Sequence, residues 1–286
     1  MQGSRSSTLR ALIDKPGLRV MPCCFDALSA RLIESAGFEL TFMSGFAVSA
    51  ARIGCPDTGL ISYGEMVDAG RDICARVKIP VIGDADTGYG NAINVKRTLE
   101  GYSQAGFACV MFEDQVAPKR CGHTRGKQVV ERAEALARIR AAVDARDAGV
   151  DILVMARTDA RATHGLEEAL YRARAFADLG ADLIFVEAPT SEAEMAEICR
   201  AVSAPCMANM LEQGATPILP PARLEGLGFK IAAYPLTLLN ASIVAMQSAL
   251  AALLRGQPAP NLMSFDELRK VVGFDDYHAD AQRYQS

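Results

Sequence analysis

The sequence predicts an α/β fold of the (β/α)8 class, a TIM barrel, and three observations carry that expectation. Short β-rich runs alternate with longer segments of helical period along the whole chain. Eight such runs fit within 286 residues, close to the roughly 250 residues typical of this barrel. No G-x-G-x-x-G follows the first apolar run, so the runner-up, a doubly wound open sheet, lacks its usual phosphate-binding turn. Half of the residues are apolar, enough to bury one large core.

The predicted strands lie at 18–22, 40–44, 81–84, 109–113, 152–156, 183–187, 206–209 and 230–234. Between them, segments such as 131–147, 165–179 and 192–202 return apolar residues at three- and four-residue steps. Ser62 with Glu65, and Ser191 with Glu194, have capping-box spacing. Gly106, Gly149 and Gly180 each follow a helical run and precede a strand, where a helix needs a left-handed terminus. The near-apolar run 241–254, interrupted by Ser242, Gln247 and Ser248, reads as a buried helix too short to span a bilayer. No Pro/Gly/Ser-rich linker divides the chain, so residues 1–286 read as one domain.

Composition excludes several classes of function. Thirty basic residues stand against thirty-four acidic ones, scattered rather than striped, so nucleic acid is not an expected partner. The eight cysteines form no C-x-x-C, which fits reduced thiols in a cytoplasmic enzyme better than a disulfide framework or zinc site. The first seventeen residues carry no apolar core of a secretory signal, and no membrane association is expected.

In such a barrel the strand C-termini converge on the face where catalytic groups sit. Ser44 and Gly45, Asp84 and Asp86, Glu113, Arg157 and Asp159, Glu187 and Asn209 all fall at predicted strand ends. Asp84 and Asp86, two apart, are expected on one side of an extended strand. With Glu113 they form an oxygen-rich trio suited to Mg²⁺ or Mn²⁺, partly through water; capping of the next helix is the plainer reading of the two aspartates. Arg157 can clamp a carboxylate with two parallel hydrogen bonds, which implies an anionic substrate. Ser44 and Gly45 offer backbone donors for a carboxylate or oxyanion, or form an ordinary tight turn. Cys121 stands beside Lys119, Arg120 and His123, where a thiol gains acidity; a small hydrophobe in a basic loop fits the same spacing.

Together, Ser44-Gly45, Pro56-Asp57, the 84–90 segment DADTGYG, Glu113-Asp114-Gln115, the 119–123 segment KRCGH, the 156–160 segment ARTDA and Ala208-Asn209-Met210 resemble the isocitrate lyase/phosphoenolpyruvate mutase superfamily over residues 9–274. The resemblance implies a (β/α)8 barrel whose C-terminal helix, here 264–272, swaps between neighbours of a homotetramer, with 256–286 as the swapped arm and tail. It implies a Mg²⁺-bound 2-oxoacid or enolate and a lid carrying the cysteine. Residue by residue it assigns Asp86 to the metal directly, and Asp84 and Glu113 through water, with Asp57 near the metal waters. Ser44, Gly45 and Arg157 fall to the 2-oxoacid half, and Gly122, His123, Glu187 and Asn209 to the leaving half. Cys121 becomes the acid that protonates the departing enolate.

The KRCGH loop resembles the lyases, although carboxyphosphonoenolpyruvate phosphonomutases have a similar one. Leu211 replaces the hydroxyl typical of 2-methylisocitrate lyases, and Phe46 replaces a small loop residue. Both make the substrate pocket more apolar, which suits an alkyl group. The 156–168 segment resembles 2-alkylmalate lyases, and Pro235 stands where oxaloacetate hydrolases have a serine. The expected activity is a Mg²⁺-dependent carbon–carbon lyase acting on a 2-alkylmalate such as 2,3-dimethylmalate. The alternatives are 2-methylisocitrate lyase, then phosphonomutase or oxaloacetate hydrolase, and outside catalysis an oxoacid-binding protein.

Overall fold

A computed structural model describes residues 3–122 and 126–284. Eight parallel strands follow one another around a closed barrel: β1 (Arg19–Cys24), β2 (Thr41–Met43), β3 (Val81–Asp84), β4 (Cys109–Glu113), β5 (Leu153–Thr158), β6 (Leu183–Val186), β7 (Cys206–Asn209) and β8 (Ile231–Tyr234). β8 pairs with β1, so no strand edge is left open. The predicted barrel is the observed one, and three strands have the predicted bounds. β5 runs two residues further than predicted because its ladders continue: Glu113 pairs with Arg157, and Thr158 with Val186.

The two-residue period of a strand explains why charge collects at one end. Phe42, Ile82, Cys109 and Met111, Leu153 and Met155, Leu183 and Phe185, and Met207 belong to one buried cluster inside the barrel. One further step of two along each strand gives Ser44, Asp84, Glu113, Arg157, Glu187 and Asn209. The same alternation that fills the barrel thus delivers the polar residues to its mouth. At the other end, Leu9 and Ile13 of the helix Arg5–Asp14 join the cluster and close the floor.

Local signals behave as their chemistry requires. Ser62 and Glu65 form a reciprocal capping box. Ser191 accepts from the Glu194 N–H, but the Glu194 carboxylate is held by Thr190 and Arg161, so only half of that box forms. Gly106, at φ 98°, is the left-handed helix terminus the pattern requires.

Gly83 of β3 admits the rings that position the next residue. Tyr102 stacks on Phe107 with centroids 4.8 Å apart, and its hydroxyl donates to the Asp84 carbonyl at 2.6 Å. A Cβ on Gly83 would lie 2.8 Å from both rings. Gly83→Ala is therefore expected to destabilise the fold by about 1–3 kcal/mol through overpacking. A urea midpoint equal to wild type would show that the rings yield freely.

The chain forms two compact units, Met1–Leu238 and Leu239–Ser286. The first contains the whole barrel. The second holds most of the helix Thr237–Leu254, followed by helices Phe265–Val272 and Phe274–Gln282. The apolar run 241–254 is helical as expected but is not buried: in Thr237–Leu254 only Leu239 and Ala252 are buried, while Val244, Met246, Leu250 and Leu253 are exposed. Apolar composition marks a helix that needs cover without saying that its own chain supplies it. The helix is longer than the run read from sequence, and by length and composition alone it is long and apolar enough to cross a membrane.

Candidate active site

Ser44, Phe46, Asp57, Asp84, Cys121, Gly122, Arg157, Glu187, Asn209 and Leu211 line one cavity of about 70 Å³ at the strand C-termini, together with Lys119. Ten residues singled out from sequence therefore meet in one place. Gly45, Asp86 and Glu113 lie just behind the wall, each buried. His123 falls outside the described residues.

On one side stand Asp57, Asp84, Asp86 and Glu113. β3 ends at Asp84, and Asp86 adopts a left-handed backbone with φ 49°. The two aspartates are thus not neighbours on an extended strand, as expected from sequence. Instead, the turn lets Asp84 Oδ1 accept the Asp86 N–H at 3.1 Å. Lys119 Nζ approaches Asp57 Oδ1 at 2.6 Å and Asp86 Oδ1 at 2.9 Å. The strained conformation at a non-glycine residue is tolerated where surroundings fix it, as active sites often do.

Burial works against the charge on this acidic group. Burial pushes the Asp86 carboxyl up to about 6 against the pull of Lys119, and Asp84 and Asp57 add repulsion. Glu113 is also raised by burial, against the pull of Arg157 and Lys119. Its Oε1 is buried and accepts no hydrogen bond. Among the described residues, no three His, Cys, Asp or Glu side chains converge as a ready metal-ligand group.

The backbone donors proposed from sequence are engaged within the protein. Ser44 N–H donates to the Cys24 carbonyl at 3.1 Å, and Gly45 N–H donates to Asp84 Oδ2 at 3.2 Å. A Cβ on Gly45 would come within 2.6 Å of that oxygen, so the contact requires glycine. Strand closure takes the first amide and the aspartate takes the second.

Arg157 stands on the next strand, β5, paired in register with Glu113. Its Nε and NH2 bond both oxygens of Asp159, at 2.9 and 3.1 Å. Nε also lies 3.3 Å from Glu113, and NH2 3.2 Å from Glu187. Asn209 donates toward Glu187 at 3.4 Å. The Ala188 N–H folds back onto Glu187 at 2.9 Å from a left-handed residue at φ 59°. Burial disfavours the Asp159 anion, yet Arg157 and Lys127 hold its carboxyl far below the usual carboxylate range.

Behind Arg157 lies a layer that sequence reasoning missed. Asp114 accepts from the Thr158 hydroxyl at 2.7 Å, the Asp159 N–H at 2.9 Å and Arg172 at 3.0 Å. Lys127 Nζ donates to Asp159 Oδ1 at 2.8 Å and to the Gly122 carbonyl. The Gln115 side chain brackets Arg120, donating to its carbonyl at 2.9 Å and accepting its N–H at 3.0 Å. Only the proximity of Asp114 and Gln115 to Glu113 hinted at these roles.

The rest of the cavity is apolar: Phe42, Phe46, Met111, Phe185, Met207, Leu211, Ala233, Pro235 and Leu236. Cys121, a half-buried cysteine, borders it beside Gly122. The arrangement joins a guanidinium held among carboxylates, a carboxylate group paired with Lys119, a cysteine and an apolar wall.

Comparison with known proteins places this geometry. The chain is 40% identical to 2,3-dimethylmalate lyase of Eubacterium barkeri over 94% of both chains. It is 39% identical to a 2-methylisocitrate lyase of Aeropyrum pernix over 94% of this chain and 87% of that protein. A solved 2,3-dimethylmalate lyase structure superposes with a TM-score of 0.94 at 40% identity, covering 99% of this chain and 97% of that one. A phosphonopyruvate hydrolase solved with oxalate and Mg²⁺ superposes with a TM-score of 0.87 at 30% identity, over 99% of each chain. The phosphoenolpyruvate phosphomutase family model matches residues 9–254, and the chain belongs to that family, within the phosphoenolpyruvate mutase/isocitrate lyase superfamily.

Proposed function

We propose that the protein is a divalent-metal-dependent carbon–carbon lyase that cleaves the C2–C3 bond of a 2-alkylmalate, such as 2,3-dimethylmalate, into a 2-oxoacid (pyruvate) and a carboxylate. The observation that carries the substrate class is the pairing of Arg157 with an apolar wall in one cavity. Arg157 suits the carboxylate of the oxoacid half, and Phe46, Leu211, Pro235 and Leu236 suit an alkyl substituent. Similarity to a protein named 2,3-dimethylmalate lyase supports the same reading.

The acidic residues fit a hard cation. Among the described residues, Glu113 Oε1 has no hydrogen-bond partner, and Asp57 Oδ1 and Asp86 Oδ1 pair with the Lys119 ammonium alone. Oxygen donors without imidazole or thiolate favour Mg²⁺, or Mn²⁺, with part of its shell kept as water. Asp86 would hold the ion directly, and Asp84, Glu113 and Asp57 through water. When bound, the cation supplies a Lewis acid for the oxygen on C2.

The protein's own groups account for the remaining steps. Arg157 orients the oxoacid carboxylate, and a base takes the C2 hydroxyl proton as the C2–C3 bond breaks. The electron pair leaves on the other half as an enediolate. Cys121 gives that carbon its proton, completing the carboxylate product. Gly122, Glu187 and Asn209 position the leaving half, with Ser44 and Gly45 shaping the oxoacid side. We also place the enzyme in the cytoplasm, on its eight reduced cysteines. We assign it a homotetramer with a swapped helix at 264–272. No residue of Phe265–Val272 is buried, and Phe265, Leu268 and Val272 are exposed.

A coupled 2-oxoacid assay across 2,3-dimethylmalate, 2-methylisocitrate, isocitrate and oxaloacetate tests the reading. An extra carboxylate left unpaired against the apolar wall costs several kcal/mol. The value of kcat/KM should therefore favour dimethylmalate over methylisocitrate by about a hundredfold. Excess chelator should abolish turnover, and Mg²⁺ or Mn²⁺ should restore it. A clear preference for methylisocitrate would replace the substrate assignment, and turnover unaffected by chelator would remove the metal.

A further inference from the structure

Asp159 sits immediately before the short helix Ala160–His164, where an aspartate ordinarily caps the helix. Its side chain makes no capping bond. Both oxygens face inward instead, shared between Arg157 and Lys127. The Lys127 and Asp159 side chains are 4% and 0% exposed, so each would leave a buried charge poorly compensated without the other. Burying such a pair is a weak source of stability compared with apolar packing. That makes its second connection informative: the same ammonium also bonds the Gly122 carbonyl, next to Cys121.

Gly122 in turn rests directly on the guanidinium that Asp159 holds. A Cβ there would lie 2.4 Å from Arg157 NH2 and 2.6 Å from Glu187 Oε2. Four contacts therefore close a ring: Arg157 to Asp159, Asp159 to Lys127, Lys127 to the Gly122 carbonyl, and Gly122 back against Arg157. Asp159 is fixed from behind by its backbone bond to Asp114, which makes it the stationary member.

We propose that Lys127 and Asp159 are a positioning pair that seats the Cys121–Gly122 segment over Arg157, so that one shared carboxylate sets both the thiol and the anion-binding guanidinium. Its catalytic consequence rests on the lyase reading above; the structural linkage does not. Lys127 acts through Gly122 and Asp159, without touching substrate.

The test is alkylation of Cys121 by iodoacetamide, followed by peptide mass spectrometry in wild type, Lys127→Met, Lys127→Gln, Asp159→Asn and the Lys127→Met/Asp159→Asn double variant. Only preparations with wild-type circular dichroism are compared. The pH profile of the rate separates thiol acidity from access. Cys199, on the helix Glu192–Ala201, serves as the internal control.

The limiting rate at Cys121 should rise about tenfold in each folded variant, the scale of one lost charge-assisted hydrogen bond. Cys199 should not change, and the double variant should add little to either single one. A Cys121 rate within twofold of wild type in the folded Lys127 variants would overturn the proposal. So would an equal rise at Cys199, which would indicate general loosening. With substrate, kcat should fall in Lys127→Met while KM changes little, because the oxoacid half keeps Arg157. If wild type turns over no alkylmalate, the lyase reading fails while alkylation still decides the linkage.

Discussion

Cys121→Ser is expected to reduce turnover by roughly two to four orders of magnitude, the range for losing a positioned general acid. The thiol borders the same cavity as Arg157, Glu187 and Leu211, and the glycine after it lies against the Arg157 and Glu187 side chains. A hydroxyl occupies nearly the same space but yields its proton far less readily. The substitution therefore separates proton delivery from shape. Binding should survive, because the proposed oxoacid site rests on Arg157 and the acidic group. Single-turnover measurement of pyruvate formation, beside calorimetric binding of oxalate, checks both halves of the expectation. Near-wild-type turnover would remove Cys121 from proton transfer. Lost oxalate affinity would mean that the residue shapes the oxoacid site as well.

The parts of the site legible in the sequence are those set by strand periodicity. Alternation through Ile82, through Cys109 and Met111, and through Leu153 and Met155 leads to Asp84, Glu113 and Arg157, so finding the strands nearly finds the mouth. The paired register of Glu113 with Arg157 then brings acid and cation together. What stayed hidden depends on backbone reversals and long sequence separations. Asp86 leaves the strand through a left-handed turn, which no alternation pattern predicts. Lys119 reaches Asp57 across 62 positions, Lys127 reaches Asp159 across 32, and Arg172 reaches Asp114 across 58. No local spacing encodes these pairs: Lys119 reads only as a neighbour of Cys121, and Lys127 and Arg172 carry no local signal. Thr237–Leu254 shows the converse limit: its composition marks a helix correctly, yet the cover it requires is absent from most of its surface.

Arg157→Met should have the other large effect, on stability and activity together. The guanidinium is buried among Glu113, Asp159 and Glu187, bonding the second and lying within ion-pair range of the others. Methionine fills part of the space but supplies no charge, leaving Lys127 as the remaining ion-pair partner of Asp159. Removing one member of a buried ionic group costs about 3–5 kcal/mol, because the partners remain desolvated and uncompensated. The pH dependence follows from the sign of the Asp159 shift. Its lowered folded value contributes stability above the unfolded aspartate pKa of about 3.9, lost as pH falls through the folded value. In the variant that contribution shrinks, so the deficit relative to wild type should be full near neutrality and narrow toward pH 4, as the orphaned carboxylates take up protons. In the fraction that remains folded, kcat/KM should still fall by about two to three orders of magnitude, since the proposed donor for the oxoacid carboxylate is gone. Arg157→Lys restores a charge without the planar fork, and should recover more stability than activity. Urea unfolding at pH 7.5 and pH 5, with kinetics on the same preparations, decides the matter. A stability change below about 1 kcal/mol at pH 7.5 would mean that the three carboxylates do not depend on Arg157, and the charge balance assigned to the barrel mouth would have to be redrawn.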